Sequence, residues 1–212
     1  MSLKAEYKTV RNEARTVIVE KKSKFIASVF PVSSESDALE KLNAVKKEFS
    51  DATHNVYAYV IDENNIFRYS DDGEPSGTAG MPVLDTIRNQ DLVDILVVVT
   101  RYFGGTLLGT GGLVHAYGAS AASGISAAEV ITRALCNRIY IKADYTLSGK
   151  LTHEISKSGY ILEDTFYDTD ITYVIICKIS DTDKLIKDFT EITCGSAEIS
   201  VIDTCYTDLP TK

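Results

Sequence analysis

Apolar residues change their period several times along the chain, and each change predicts an element. Residues 14–32 form two β-rich runs broken at the charged stretch Lys21-Lys22-Ser23-Lys24. Ser34-x-x-Asp37 reads as a variant capping box. Behind it Ala38, Leu39, Leu42, Val45 and Phe49 fall at helical spacing. Val56, Ala58 and Val60 then alternate with Tyr57 and Tyr59, the period of a half-buried strand. A turn at Asp62-Glu63-Asn64-Asn65 leads into a second strand over 66–69, which together predict a hairpin. The segment 70–80 is dense in turn formers and acidic groups, and a helix is predicted from Pro82 to about Gln90, with Pro near its first turn. Residues 93–103 are almost continuously apolar and β-branched, which suits a central strand buried on both faces. After the glycines that follow, residues 113–130 read as a helix built of Ala, Ser and Gly for close approach to its neighbours.

The texture changes near Cys136. Strand periods at 138–145, 160–168, 171–180 and 197–206 alternate with helical periods at 147–158 and 181–192, where Leu185, Ile186, Phe189 and Ile192 share a face. The order β-α-β-β-α-β in so short a stretch is the ferredoxin-like plan. The expected class is therefore α+β, with one domain over residues 1–136 and a ferredoxin-like domain over 137–212.

Composition narrows the function. The chain has 212 residues and a formal net charge of −8, which argues against a protein that grips nucleic acid by bulk charge. Residues 102–128 carry no charged side chain, but seven of the 13 glycines fall there, so this is a buried segment and not a membrane helix. The N-terminus lacks the plan of a secretory signal. Cysteines at 136, 177, 194 and 205 form no Cys-x-x-Cys, and histidines at 54, 115 and 153 give no zinc spacing. The expectation is buried free thiols, no metal, no cofactor and a cytoplasmic location.

Two segments carry candidate chemistry. Gly104 to Gly112 joins a strand end to a helix start, where backbone N–H groups and the helix dipole favour an anion. Arg101 at the strand exit can add a bidentate contact. The run lacks both the P-loop lysine and the third glycine of the dinucleotide fingerprint, and tight helix–sheet packing explains the same glycines. The acidic turn offers Asp71, Asp72 and Glu74 for Mg²⁺ or for acid–base work, and a solvated turn is the plainer reading. Ser76 sits one residue out of register with a nucleophile elbow. Tyr57 and Tyr59 share a strand face that can stack bases or serve as core.

Three blocks stand in order: His54 to Tyr59, Asp72-Gly-Glu-Pro-Ser-Gly-Thr-Ala-Gly80, and Val97-Val-Val-Thr-Arg-Tyr-Phe-Gly-Gly105 continuing through Leu108-Gly-Thr-Gly-Gly-Leu-Val114. In these the chain resembles the IMPACT/YigZ family. The resemblance implies an N-terminal α/β domain with the βαβ fold of a ribosomal small-subunit protein domain and of GHMP kinases. It also implies a ferredoxin-like C-terminal domain similar to one in elongation factors. Eukaryotic relatives restrain a translation-initiation-factor kinase, partly through an extra N-terminal domain that this chain is expected to lack. Met81 and His115 stand where basic residues are common in the family, which lowers the positive charge near the glycines.

The leading expectation is a non-enzymatic regulatory protein linked to translation, binding RNA or the ribosome, a nucleotide or another small anion, or a protein partner. Its surface would comprise His54, Asp72, Glu74, Ser76, Gly77, Thr78, Arg101, Tyr102, Gly104, Gly105, Gly109, Thr110, Gly111, Gly112 and His115. One alternative is an enzyme acting on a phosphorylated small molecule, although no lysine lies between Lys47 and Lys142. Another is a metallo-hydrolase or peptidase using His54, His115 and the acidic turn.

Overall fold

The structure is a computed structural model and describes residues 4–208. It divides into two compact units, one of residues 7–132 and one of residues 4–6 with 133–208.

The first unit holds β1 (Glu6–Val10) apart from its first residue, and the strands β2 (Ala14–Glu20), β3 (Ser23–Pro31), β4 (His54–Ile61), β5 (Ile66–Ser70) and β6 (Ile95–Tyr102). The helices are α1 (Glu35–Glu48), α2 (Gly80–Arg88) and α3 (Gly109–Ala127). Five strands form a sheet of order β2-β3-β6-β4-β5, every pair antiparallel. β3 and β4 flank β6 and are joined through α1, a split βαβ arrangement. β6 is central and buried on both faces, as its unbroken apolar run predicts. Its Ile95, Val97 and Val99 face the core with α2 and α3, whereas Leu96 and Val98 pack with Ala38, Leu42 and Val45 of α1.

The start of α1 follows the capping pattern. The Ser34 side chain accepts from Asp37 N, and the Asp37 carboxylate accepts from Ser33 N at 2.9 Å. Lys21 and Lys22 both take positive φ, 43° and 69°, which turns the β2–β3 hairpin in two residues.

Both boundaries of α3 differ from the sequence reading. α3 begins at Gly109 and not at 113, so Gly109, Thr110, Gly111 and Gly112 form its first turn instead of a loop before it. The cost of glycine in a helix is offset where α3 needs close approach: a Cβ on Gly124 would stand 2.8 Å from Val29 and 2.9 Å from Ala27. The helix also ends at Ala127, Glu129 turns at φ 62°, and Val130 opens the next strand.

That strand, β7 (Val130–Ala143), carries the chain into α4 (Ser148–Ser158), β8 (Ile161–Tyr167), β9 (Ile171–Lys178), α5 (Thr182–Ile192) and β10 (Glu198–Asp208). Four strands of its sheet, in the order β10-β7-β9-β8, pair antiparallel and have the ferredoxin-like topology. α4 and α5 cover one face through Leu151, Ile155, Leu185 and Phe189. Leu135 N donates to Ala5 O at 2.8 Å, which ties the first described residues to this unit. All four cysteines are free; Cys136 and Cys177 are buried, Cys205 is half-buried and Cys194 is exposed, so burial holds for two of the four. Among the described residues no helix is long and apolar enough to cross a membrane.

Candidate functional site

The acidic turn is shaped by its own carboxylates. Asp71 accepts from Gly77 N at 2.9 Å, Ala79 N at 3.1 Å and Gly80 N at 2.8 Å, and so closes the turn onto the N-terminus of α2. Asp72 accepts from Asn55 N at 2.6 Å and from Lys46 Nζ at 3.3 Å. Glu74, buried to 8 % exposure, accepts from Arg101 Nη1 at 2.5 Å and from the Tyr117 hydroxyl at 2.7 Å. Each carboxylate is thus engaged by the protein, and the turn offers Mg²⁺ no free set of oxygens. No group of three His, Cys, Asp or Glu among the described residues is placed to hold a metal. Asp71→Ala leaves three N–H groups without an acceptor, and a loss of about 2 kcal/mol is expected in urea denaturation.

Arg101 reaches this cluster from the end of β6. Its guanidinium lies 5.4 Å from the Phe25 ring centroid and 5.6 Å from that of Phe103. Nη2 donates to Ser23 Oγ at 3.4 Å, while Nε is buried with no hydrogen-bond partner among the described residues. The Arg101 charge is therefore largely matched by Glu74 before any ligand arrives. Burial, and then donation to Glu74, pushes the Tyr117 hydroxyl well above the ordinary tyrosine range, so it remains a neutral donor.

His54, at the start of β4, completes the cluster. Its Nδ1 lies 2.8 Å from Asp72 O, a carbonyl that can only accept, so Nδ1 carries the proton. Nε2 stands 3.8 Å from Glu74 Oε1. Antiparallel pairing fixes this placement, since His54 lies opposite Arg101 in the β4–β6 register.

These groups line a cavity of about 430 Å³. Its polar side holds Thr53, His54, Glu74, Arg101, Gly109 and Thr110; Pro75, Phe103, Leu107, Leu108 and Leu113 make an apolar wall. The α3 N-terminus opens here without a side-chain cap or an acidic residue in its first turn. So the three sequence blocks converge, and five residues of the expected surface meet in the cavity.

The others lie elsewhere. Ser76, Gly77, Gly105, Gly111 and His115 are exposed and line no part of it, and Asp72 contributes only its carbonyl to His54. Thr78 is buried and donates to Pro75 O at 2.7 Å; Tyr102 donates to Asp51 at 2.8 Å. Gly104 packs against the β2–β3 turn, and Gly112 against Leu108. Tyr59 is core: it donates to Glu35 at 2.7 Å and packs with Tyr57 beside α1, which removes the base-stacking reading of that pair. Tyr117 and Ser23 were not among the residues singled out by sequence. The only signal for Tyr117 was a polar-tipped aromatic on the Leu113 face of a small-residue helix.

Comparison with known proteins places this geometry. Residues 21–125 match the Impact N-terminal domain, and residues 141–196 match a domain of unknown function, DUF1949. The IMPACT family member YvyE of Bacillus subtilis is 39% identical over 201 residues, spanning 94% of this chain and 93% of that protein. The IMPACT family member YigZ of Escherichia coli is 44% identical over 107 residues, 49% of this chain and 52% of YigZ. The crystal structure of a hypothetical protein superposes with a TM-score of 0.60 at 25% identity, over 95% of this chain and 99% of that one. Fold and site define a two-domain protein, an Impact N-terminal domain followed by DUF1949. The chain belongs to the IMPACT family.

Proposed function

We propose that this protein is a non-enzymatic cytoplasmic binding protein linked to translation. It uses the cavity at the end of β6 to take a ligand with an anionic head and an apolar body, of which a nucleotide is the simplest case. The link to translation rests on the family resemblance. The binding reading rests on one observation: the three sequence blocks meet in a single cavity that sets an uncapped helix N-terminus beside an apolar wall. The anion would meet the free N–H groups of the first α3 turn, while Phe103 and Leu107 would cover its ring.

Gly111→Asp tests this without touching the buried cluster. No atom lies within 4 Å of a Cβ at Gly111, and an acidic side chain in the first helical turn is favourable for the fold. Wild-type protein should gain about 2.7 kcal/mol at a hundredfold excess of nucleotide over its dissociation constant. Gly111→Asp should lose that gain without any fall in its own thermal midpoint. Equal ligand stabilisation in both proteins, or none from any nucleotide or short RNA, would overturn the reading.

A second reading, an enzyme acting on a phosphorylated small molecule, is favoured by His54 alone. Nδ1 is held by the Asp72 carbonyl, which leaves Nε2 as the ring atom available for proton exchange at the cavity. Turnover of a bound phosphate ester that His54→Gln abolishes while binding persists would establish it.

A further inference from the structure

On the sheet face of the ferredoxin-like unit opposite α4 and α5, Val174 and Ile176 are buried, but the end that carries Tyr140 and Lys142 is open. Ile139 and Ile141 of β7 and Ile171, Tyr173 and Ile175 of β9 point to the helices, so the residues between them point the other way. Tyr140 and Lys142 on β7, Phe166 on β8, and Glu198 on β10 line a groove of about 350 Å³ there, closed at one end by Asp168 and Asp170. Tyr140 is 39% exposed and Phe166 49%. They stand on either side of β9, two strand spacings apart and offset by two residues along the strands, roughly 12 Å in all.

Exposed rings on the sheet face of this fold are a layout for stacking unpaired bases. The surrounding charge has the wrong sign for a phosphodiester chain. All three cations of the face are already held, Arg138 by Glu163 at 2.5 Å and Asp203 at 2.7 Å, Lys142 by Asp170 at 3.5 Å, and Lys178 by Glu6 at 2.7 Å. The Asp168 and Glu198 carboxylates have no cationic partner among the described residues. Two rings and two unmatched carboxylates around one groove complement a flat cation.

We infer that this face binds an arginine-rich, extended segment of a partner protein. A guanidinium lies against Tyr140 or Phe166 and donates to Asp168 or Glu198. Arginine fits better than lysine because its planar, weakly hydrated head stacks on a ring while its edge makes paired hydrogen bonds. The inference lies in the other unit and stands independently of the β6 cavity.

Fluorescence anisotropy on the full chain at physiological ionic strength tests it, with labelled hexa-arginine, hexalysine and oligouridylate as probes. Hexa-arginine should bind about tenfold more tightly than hexalysine, and Tyr140→Ala and Phe166→Ala should each weaken it about threefold to tenfold. Glu198→Lys, at an exposed strand end, should weaken it as much with an unchanged thermal midpoint, so the test survives if truncating a ring loosens the sheet. Glu40→Lys on α1 is the matched charge control and should have little effect. Equal affinity for the two peptides, equal loss in the control, or no binding would overturn the inference. So would oligouridylate binding that depends on Tyr140 and Phe166, which would make the face an RNA platform.

Discussion

Arg101→Leu is expected to cost about 3–5 kcal/mol of stability, read as a lower urea midpoint with an unchanged slope. The substitution leaves the Glu74 carboxylate buried, with the Tyr117 hydroxyl as its one remaining short partner and His54 at 3.8 Å. Glu74→Gln should cost less, because an amide oxygen still accepts from Tyr117 and Arg101. The double substitution Arg101→Leu with Glu74→Leu should recover most of the loss, since apolar replacement of a whole buried pair is often close to neutral. Additive losses would show that the two charges do not depend on each other. The same arithmetic bears on any ligand screen: binding lost on Arg101→Leu would report a damaged cavity as readily as a missing contact.

Gly104→Ala and Gly111→Ala should move stability in opposite directions, although both lie in one glycine-rich segment. A Cβ on Gly104 would stand 2.0 Å from the Lys22 carbonyl carbon, 2.2 Å from its oxygen and 2.3 Å from Ser23 N. Those atoms are backbone and cannot rotate away. Moving them also disturbs Ser23, whose hydroxyl accepts from Gly104 N at 3.1 Å and from Arg101. A loss of about 3 kcal/mol or more is expected in thermal or urea unfolding. At Gly111 the added methyl meets nothing within 4 Å and the residue is helical, so a gain of about 0.5–1 kcal/mol is expected. Similar midpoints for the two variants would show that the segment is looser than its packing indicates.

That contrast marks what was legible in the sequence. β6 was readable because a strand buried on both faces leaves no polar alternation, and the β4–β5 hairpin because its turn residues separate two runs rich in β-branched and aromatic residues. The ferredoxin-like order was readable because each period change in residues 138–206 is flanked by polar residues. The start of α3 was not, because the propensity of three glycines in four residues opposes a helix that tertiary packing imposes. The site was half legible. Its blocks could be written down, but the pairing of Arg101 with Glu74 depends on a fold of the turn that Asp71 enforces through three backbone N–H groups. With only types and spacings, an arginine beside glycines reads as an anion contact; in the fold it is first a counter-ion.

The position of β6 also sets an order of events during synthesis. The strand at the centre of the sheet is made after both of its neighbours, β3 and β4. His54 and Glu74 therefore leave the ribosome before the arginine that lies 27 residues beyond Glu74. Tyr117 follows 43 residues after Glu74, and the contact from Arg101 back to Ser23 spans 78. Contacts of such separation form slowly, because loop closure precedes any gain from packing. Until β6 emerges the Glu74 carboxylate stays in water, and the cavity is among the last parts of the unit to exist.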